Sequence, residues 1–132
     1  MIGFMSDLVY VCAPSPLQAG VARGIATLGA SHYKKLREDL YTKREKVCTS
    51  LTRAGLTPYI PQGAYYILAD ISKLPGRTGK ERAMGLLAKS GVACVPGEAF
   101  FHEPEQGYGL GRFCFALSDA ETDEACKRLE RL

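Results

Sequence analysis

The pattern of apolar residues changes its period at Gly55, and this change constrains the fold more than any other feature. Before Gly55, apolar residues recur at helical spacing from a start at Ser31, which predicts one long helix of about two dozen residues. After Gly55, the stretches 57–61 and 64–71 alternate or run continuously apolar, as strands do. The chain is therefore predicted to pass from a long helix into a sheet.

Capping-box patterns predict where the other helices begin, because a Ser or Thr followed three residues later by Glu or Gln satisfies the first backbone N–H groups. They start at Ser15 (SPLQ), Thr78 (TGKE) and Ser118 (SDAE). Two further apolar stretches are predicted strands, a short buried one at 92–96 and another at 112–117. The order predicts an α/β chain of α+β type, with a small mixed or antiparallel sheet covered by helices on one face and preceded by the long connecting helix.

Composition excludes several classes of function. The chain has 132 residues, 46% of them hydrophobic, which is enough for one domain with a core. Its 17 basic and 14 acidic residues are intermixed, so no nucleic-acid-binding surface is predicted. The sequence shows neither the long apolar run of a membrane span nor the pattern of a signal peptide, so the chain is predicted to be cytoplasmic.

The five cysteines lack CxxC spacing and lie mostly among apolar residues. Such scattered thiols are typical of reduced, buried cysteines rather than of a disulfide framework or a zinc site. The two histidines, His32 and His102, show no pairing with a cysteine, so a thiolate nucleophile is not predicted. We therefore expect neither a metal site nor a catalytic residue of this kind.

Arg112 opens the apolar stretch 112–117, where alternation places Phe113 and Phe115 on one face of the strand and Arg112 on the other with Cys114 and Ala116. These small neighbours leave room beside the guanidinium. A planar set of donors at an apolar site is suited to bidentate recognition of a carboxylate. The alternative, an arginine that reaches solvent or pairs with a nearby acid, remains open on spacing alone.

Two loops next to the predicted strands contain further candidates. In PQGAYYILAD, Gly63 gives the backbone freedom to adopt positive φ, and Tyr65 and Tyr66 are predicted to point to opposite faces, one into a pocket and one into the core. A turn glycine and strand-forming tyrosines are the alternative. In VPGEAF and the residue after it, Phe100 or Phe101 can close a pocket wall. Glu98 would be a general base only if it were desolvated, and it is predicted instead to be a loop or helix-cap residue.

Four motifs together carry a resemblance to a known family. They are APSPLQ (13–18), PQGAYYILADIS (61–72), GVACVPGEAF (91–100) and GRFCFA (111–116). In this order and at these separations, with the long helix between the first two, they resemble the C-terminal part of class I/II aminotransferases, the fold-type I enzymes that use pyridoxal phosphate. The resemblance covers essentially the whole chain.

The resemblance implies roles for individual residues. Arg112 matches the arginine that binds the substrate α-carboxylate, and Gly63, Ala64 and Tyr65 match the segment that borders the substrate. Pro14 and Ser15 match a segment at the dimer interface near the partner's cofactor. It also implies that residues 1–30 belong to a large domain missing from this chain, and that residues 31–132 form the small domain with its connecting helix.

The resemblance implies just as much about what the chain lacks. In the family, the Schiff-base lysine follows a serine-rich motif that precedes the segments present here, and no such motif occurs in this chain. We therefore predict a part of a homodimeric enzyme that exchanges an amino group between an amino acid and a 2-oxo acid. We also predict that this chain alone contains no catalytic residue, binds no pyridoxal phosphate specifically and is inactive.

Two alternatives remain open on the sequence. The chain could be a stand-alone, non-catalytic domain that binds a carboxylate or a protein partner. It could also belong to a relative that performs a lyase or synthase reaction with the same cofactor, because one fold supports several chemistries.

Overall fold

The computed structural model describes residues 12–132, which fall into two compact units divided between Arg37 and Glu38. The first unit contains a short helix and the start of the long one. The second contains the remainder of the long helix, the sheet and both later helices. The division therefore lies within the long helix.

Four α-helices lie in the described part of the chain. They are α1 (Ser15–Thr27), α2 (Ala30–Arg53), α3 (Gly79–Ser90) and α4 (Asp119–Leu129). The predicted long helix is confirmed as α2, which has 24 residues and starts one residue before the predicted Ser31. The helix ends at Arg53, two residues before Gly55. Gly55 has φ 78, a left-handed conformation that is typical after a helix end and that glycine adopts without steric cost.

The predicted caps are confirmed for two helices and wrong for one. Thr78 Oγ1 accepts a hydrogen bond from the Glu81 N–H at 3.1 Å, and Ser118 forms a complete capping box with Glu121. Ser15, however, is the first helical residue of α1, preceded by Pro14 without a side-chain cap. Its predicted partner Gln18 instead donates to the Ala13 carbonyl at 2.6 Å, which ties the helix to the chain before it.

The sheet has four antiparallel strands in the order β1-β2-β4-β3. They are β1 (Thr57–Tyr59), β2 (Tyr66–Asp70), β3 (Val95–Pro96) and β4 (Leu110–Cys114). The expected sheet is thus confirmed as antiparallel. The prediction of a buried strand over 92–96 is wrong, because β3 is a two-residue edge strand in which Val95 is 37% exposed.

One face of the sheet packs against helices, as expected. The residues buried on the sheet side are Ile67, Ala69, Phe113 and Phe115, and those from the helices are Val47, Cys48, Leu51, Ala83, Leu86 and Leu129. Alternation along β2 and β4 therefore leaves the opposite residues of both strands on the second, open face. The prediction that Phe113 and Phe115 share one face is confirmed, and this face is the buried one.

Ion pairs join α2 to the N-terminal part and the end of α4. Lys46 Nζ lies 2.9 Å from Asp123 Oδ1, and Arg53 Nη1 lies 2.9 Å from Glu130 Oε1. The neighbouring Lys43 donates to the Leu117 carbonyl and lies 3.2 Å from Asp119 Oδ1. Each exposed pair of this kind contributes little to the free energy of unfolding. The main effect of the pairs is to fix how the two helices are aligned.

Acid is expected to destabilise this arrangement. Hydrogen bonds from Ser118 lower the pKa of Glu121 below its ordinary 4.5, and the bond from Lys46 lowers the pKa of Asp123 below its ordinary 3.8. A lowered pKa in the folded state adds stability above the unfolded-state pKa, and this stability is lost as pH falls through the folded value. The urea midpoint should therefore fall as the pH drops below about 4.5, the ordinary pKa of a glutamate.

The matched variant is Ser118→Ala, which removes both side-chain hydrogen bonds between Ser118 and Glu121. It should lower the free energy of unfolding at neutral pH by about 1 kcal/mol and flatten the acid dependence. A midpoint with the same slope against pH in both proteins would contradict the assignment of the pKa shift to the cap.

Candidate functional site

Arg112 lies on the open face of the sheet, in the middle of β4. Its direct neighbours across the sheet are Leu68 in β2 and Val95 in β3. The prediction that Arg112 begins its strand is wrong, because β4 starts at Leu110, which pairs with Asp70. The prediction about its face holds, since Arg112 is half-buried and Cys114 and Ala116 are exposed beside it.

Two aromatic rings contact the Arg112 guanidinium. The Cζ atom lies 4.7 Å from the centre of the Phe100 ring and 5.2 Å from the centre of the Tyr66 ring, within the range of cation–π attraction. Within residues 12–132, Arg112 forms no ion pair with a carboxylate. Its charge is therefore stabilised by rings and left available to an anionic ligand.

The segment 63–65 leads into β2 beside this arginine, and its geometry differs from the prediction. The residue with positive φ is Ala64, at 65°, rather than Gly63. A non-glycine residue in this region is uncommon and costs energy, so the surrounding structure has to hold the turn. The Tyr65 carbonyl accepts the Phe115 N–H at 2.9 Å, which extends the pairing of β2 and β4 by one hydrogen bond and fixes the chain directly after the turn.

The prediction that the two tyrosines separate, one to a pocket and one to the core, is wrong. Tyr65 is 56% exposed, and Tyr66 is half-buried on the open face next to Arg112. Their rings meet edge to face with centroids 5.5 Å apart. A continuous line of contacts therefore runs from Tyr65 through Tyr66 and Arg112 to Phe100.

Phe100 is held in place by the turn Gly97–Phe100, which comes directly after β3. Glu98 Oε2 accepts the Gly79 N–H at 2.8 Å and its Oε1 accepts the Lys80 N–H at 3.3 Å, so Glu98 caps α3 from another segment. This confirms the prediction that Glu98 is a cap residue. Both oxygens are engaged by backbone N–H groups, which does not suit a general base.

The same turn is packed against the segment Pro104–Gly107 through two glycines. A Cβ at Gly107 would lie 2.4 Å from the Glu98 nitrogen, and one at Gly97 would lie 2.6 Å from the Leu110 Cβ. Neither position has space for a side chain. The backbone that carries Phe100 is therefore fixed by direct contact as well as by the Glu98 cap.

Pro14 and Ser15, the predicted interface residues, lie in the first unit, and both are exposed. Ser15 is the first residue of α1 and Pro14 precedes it. Their predicted position near a partner's cofactor remains a prediction.

A separate cleft of about 530 Å³ lies between α4 and the segment 91–93. Its lining is mainly apolar and includes Phe113, Leu117 and Leu129, and its cation Arg128 is paired with Glu124 at 2.7 Å. None of the predicted site residues lines it. We therefore place the candidate site at Arg112.

Comparison with known proteins decides the family. The family model for aminotransferase class I and II matches residues 2–129. The chain belongs to the class I and II aminotransferase family. The predicted resemblance is confirmed.

Individual relatives agree with this assignment. The chain is 33% identical to kynurenine–oxoglutarate transaminase of Dictyostelium discoideum, over 90% of this chain and 32% of that protein. Its structure resembles N-succinyldiaminopimelate aminotransferase from Mycobacterium tuberculosis, with a TM-score of 0.80 and 29% identity over 94% of this chain and 32% of the other. It also resembles an aromatic aminotransferase from Pyrococcus horikoshii, with a TM-score of 0.67 and 32% identity over 76% of this chain and 26% of the other.

This aminotransferase chain therefore spans about a third of the length of the curated relatives it matches. The remaining two thirds of such relatives have no counterpart in residues 1–132. Activity, substrates and partners of the whole protein are accordingly matters of proposal.

Residues 12–132 do not fit a pyridoxal phosphate site by themselves. A Schiff-base lysine has to be held in a pocket with its amine free to react. Every described lysine is exposed except Lys43, which is half-buried and engaged with Leu117 and Asp119. No set of three or more potential metal ligands occurs in this part of the chain, and no helix in it has the length and apolar character needed to cross a membrane.

Sequence reasoning missed Tyr66 as a contact of Arg112. Alternation along the strand assigns one of the two tyrosines to the core. The sequence also does not show whether Phe100 or Phe101 lies beside Arg112. The register that pairs Tyr66 with Cys114 brings its ring near Arg112. A motif alone carries no register, so only the paired strands identify this neighbour.

Proposed function

We propose that this chain is the C-terminal substrate-binding part of a pyridoxal-phosphate-dependent aminotransferase and that Arg112 binds the α-carboxylate of the substrate. The observation that carries this proposal is the state of the guanidinium. It lies on the open face between aromatic rings and has no acidic partner within residues 12–132. An arginine in this state can offer two N–H groups to one carboxylate.

The neighbouring residues give this binding site its character. The Tyr66 and Phe100 rings border the guanidinium, and the exposed Tyr65 ring packs edge to face against Tyr66. When the rest of the enzyme covers this face, the rings reduce the water around the ion pair, and the lower polarity strengthens the attraction between the arginine and the carboxylate. Gly63 and Ala64 form the turn at the edge of this surface.

We further propose that residues 1–30 contribute to a large domain that supplies the cofactor site. The described part of this segment supports the proposal, because α1 and its C-cap residue Leu28 leave an apolar stripe exposed. Its members are Leu17, Val21, Ile25 and Leu28, which are 67%, 62%, 70% and 43% exposed. An apolar stripe of this width normally packs against another surface. A homodimer and a cytoplasmic location complete the proposal.

The amino acid remains unspecified in this proposal. The names of the relatives above refer to kynurenine, to N-succinyldiaminopimelate and to aromatic substrates. Such molecules share an α-amino acid group and differ in their side chains. The proposed substrates are thus an α-amino acid and a 2-oxo acid. The shared α-carboxylate is the part that Arg112 would recognise.

The proposal is tested by comparing two proteins with pyridoxal phosphate, a panel of amino acids and 2-oxoglutarate. The complete reading frame that contains this chain should form glutamate with at least one amino acid. The 132-residue chain should form none, because its lysines offer no cofactor pocket. Glutamate formation by the short chain, or elimination products instead of glutamate from the complete protein, would overturn the proposal.

A further inference from the structure

The guanidinium of Arg112 has neighbours from both sides of β4, and these neighbours are aromatic. Tyr66 belongs to β2, which pairs with one edge of β4, and Phe100 comes after β3, which pairs with the other edge. Their ring centres lie 5.2 and 4.7 Å from the Arg112 Cζ. Within residues 12–132, ring contacts take the place of the hydrogen bonds to carboxylates or carbonyls that usually orient an arginine.

Ring contacts orient a guanidinium without occupying its donors. Attraction to an aromatic ring acts through the face of the ring, and the N–H groups of the arginine remain free at the edges of its plane. An arginine oriented by an acidic residue would instead lose donors and charge to that partner. Orientation by rings is therefore compatible with bidentate binding of an incoming carboxylate.

The backbone that carries Phe100 is fixed by the fold. Its turn is anchored by the Glu98 carboxylate on the first N–H groups of α3, at 2.8 and 3.3 Å. Close contact between Gly107 and Glu98 holds the same turn from the other side. Phe100 is 48% exposed, so the ring contributes little to the hydrophobic core. Its contact with Arg112 gives the ring a different role.

We propose that Tyr66 and Phe100 form an aromatic clamp that orients the Arg112 guanidinium for carboxylate binding, and that both are positioning residues. The effect of the clamp on carboxylate binding rests on the proposed function, whereas the ring contacts themselves are present without a ligand. Loss of the Phe100 ring should leave the charge of Arg112 in place and let the side chain sample other orientations. Binding of a carboxylate then weakens, because the guanidinium has to be ordered at the moment of binding.

The test uses the 132-residue chain labelled with ¹⁵N and follows the Nε–Hε signal of Arg112, assigned by its disappearance in Arg112→Lys. The variant is Phe100→Leu, and the matched control is Phe101→Leu, which changes the adjacent, similarly exposed phenylalanine. In the wild type the rings should shift this signal away from the position of a free arginine. Phe100→Leu should move it towards the free position, and Phe101→Leu should leave it unchanged.

The second readout is titration of the same signal with pyruvate, a carboxylate without an aromatic group that could itself contact Phe100. The dissociation constant should rise about 3- to 30-fold in Phe100→Leu and stay unchanged in Phe101→Leu. Tyr66→Leu should show the same direction, which covers the case in which the first variant is poorly folded.

The possible failures are distinguishable. An Arg112 signal that is the same in wild type and both clamp variants overturns the clamp, whether or not pyruvate binds. A signal that shows the clamp but does not respond to pyruvate in the wild type overturns the proposed carboxylate site, and with it the functional role of the two rings.

Discussion

Replacing Arg112 with alanine in the complete reading frame is expected to lower kcat/KM for amino acid substrates by at least about 30-fold, the equivalent of about 2 kcal/mol. The substitution removes the one cation within residues 12–132 that contacts both Tyr66 and Phe100. The substrate carboxylate would then lose its bidentate partner in a site shielded from water. Steady-state kinetics with varied amino acid concentration measure the effect.

Arg112→Lys should lie between wild type and Arg112→Ala, because lysine keeps the charge and loses the planar pair of donors. Arg77→Ala is the matched control, since Arg77 is an exposed arginine in the turn before α3. The control should keep wild-type kinetics. If Arg112→Ala also keeps wild-type kcat and KM, Arg112 does not bind the substrate carboxylate.

Leu51→Ala should lower the free energy of unfolding by about 2–5 kcal/mol. Leu51 lies in α2 with none of its surface exposed, in the core that α2 forms with the sheet. Truncation to alanine removes apolar contacts and leaves a cavity that tightly packed neighbours fill only in part. Urea denaturation followed by circular dichroism gives the difference.

The matched control is Leu36→Ala, which makes the same change in the same helix at a side chain that is 48% exposed. Its effect should stay within about 0.5 kcal/mol, as for other surface substitutions. Equal losses in the two variants would contradict the claim that burial of Leu51 against the sheet stabilises α2.

Much of the fold could be predicted because its signals are local. Gly55 and Gly91 end helices in left-handed conformations, and Thr78 and Ser118 begin them by accepting backbone N–H groups. Each of these effects depends on residues within one turn of the helix. The alternation of Phe113 and Phe115 is equally local and correctly identified the buried face of β4.

One error, at Ser15, concerns only adjacent residues, and the others lie where contacts distant in the sequence outweigh the local pattern. Ser15 has the residues of a cap, but the helix begins at Ser15 itself, with Pro14 before it. The turn before β2 places positive φ on Ala64 although Gly63 is adjacent, because the strand pairing that begins there constrains the chain. The length of β3 depends on how many of residues 92–96 pair with β4. This pairing involves a distant part of the chain, so the local sequence does not predict it.

The candidate site shows the same division. Its central residue could be identified because Arg112 interrupts an apolar stretch and matches a family motif. Its neighbours could not, because they come from two other segments of the chain, β2 and the turn after β3. Assigning Tyr66 and Phe100 to Arg112 requires the sheet order and register, which result from packing of the whole domain.

The most direct test of the central claim is to read the coding sequence upstream of Met1 in frame. If the chain is the substrate-binding part of an aminotransferase, the frame continues and encodes a serine-rich motif that ends in lysine, the residue needed to hold pyridoxal phosphate. An in-frame stop codon, with no such motif after it, would contradict the claim. Arg112 would then be part of a binding domain without transaminase chemistry.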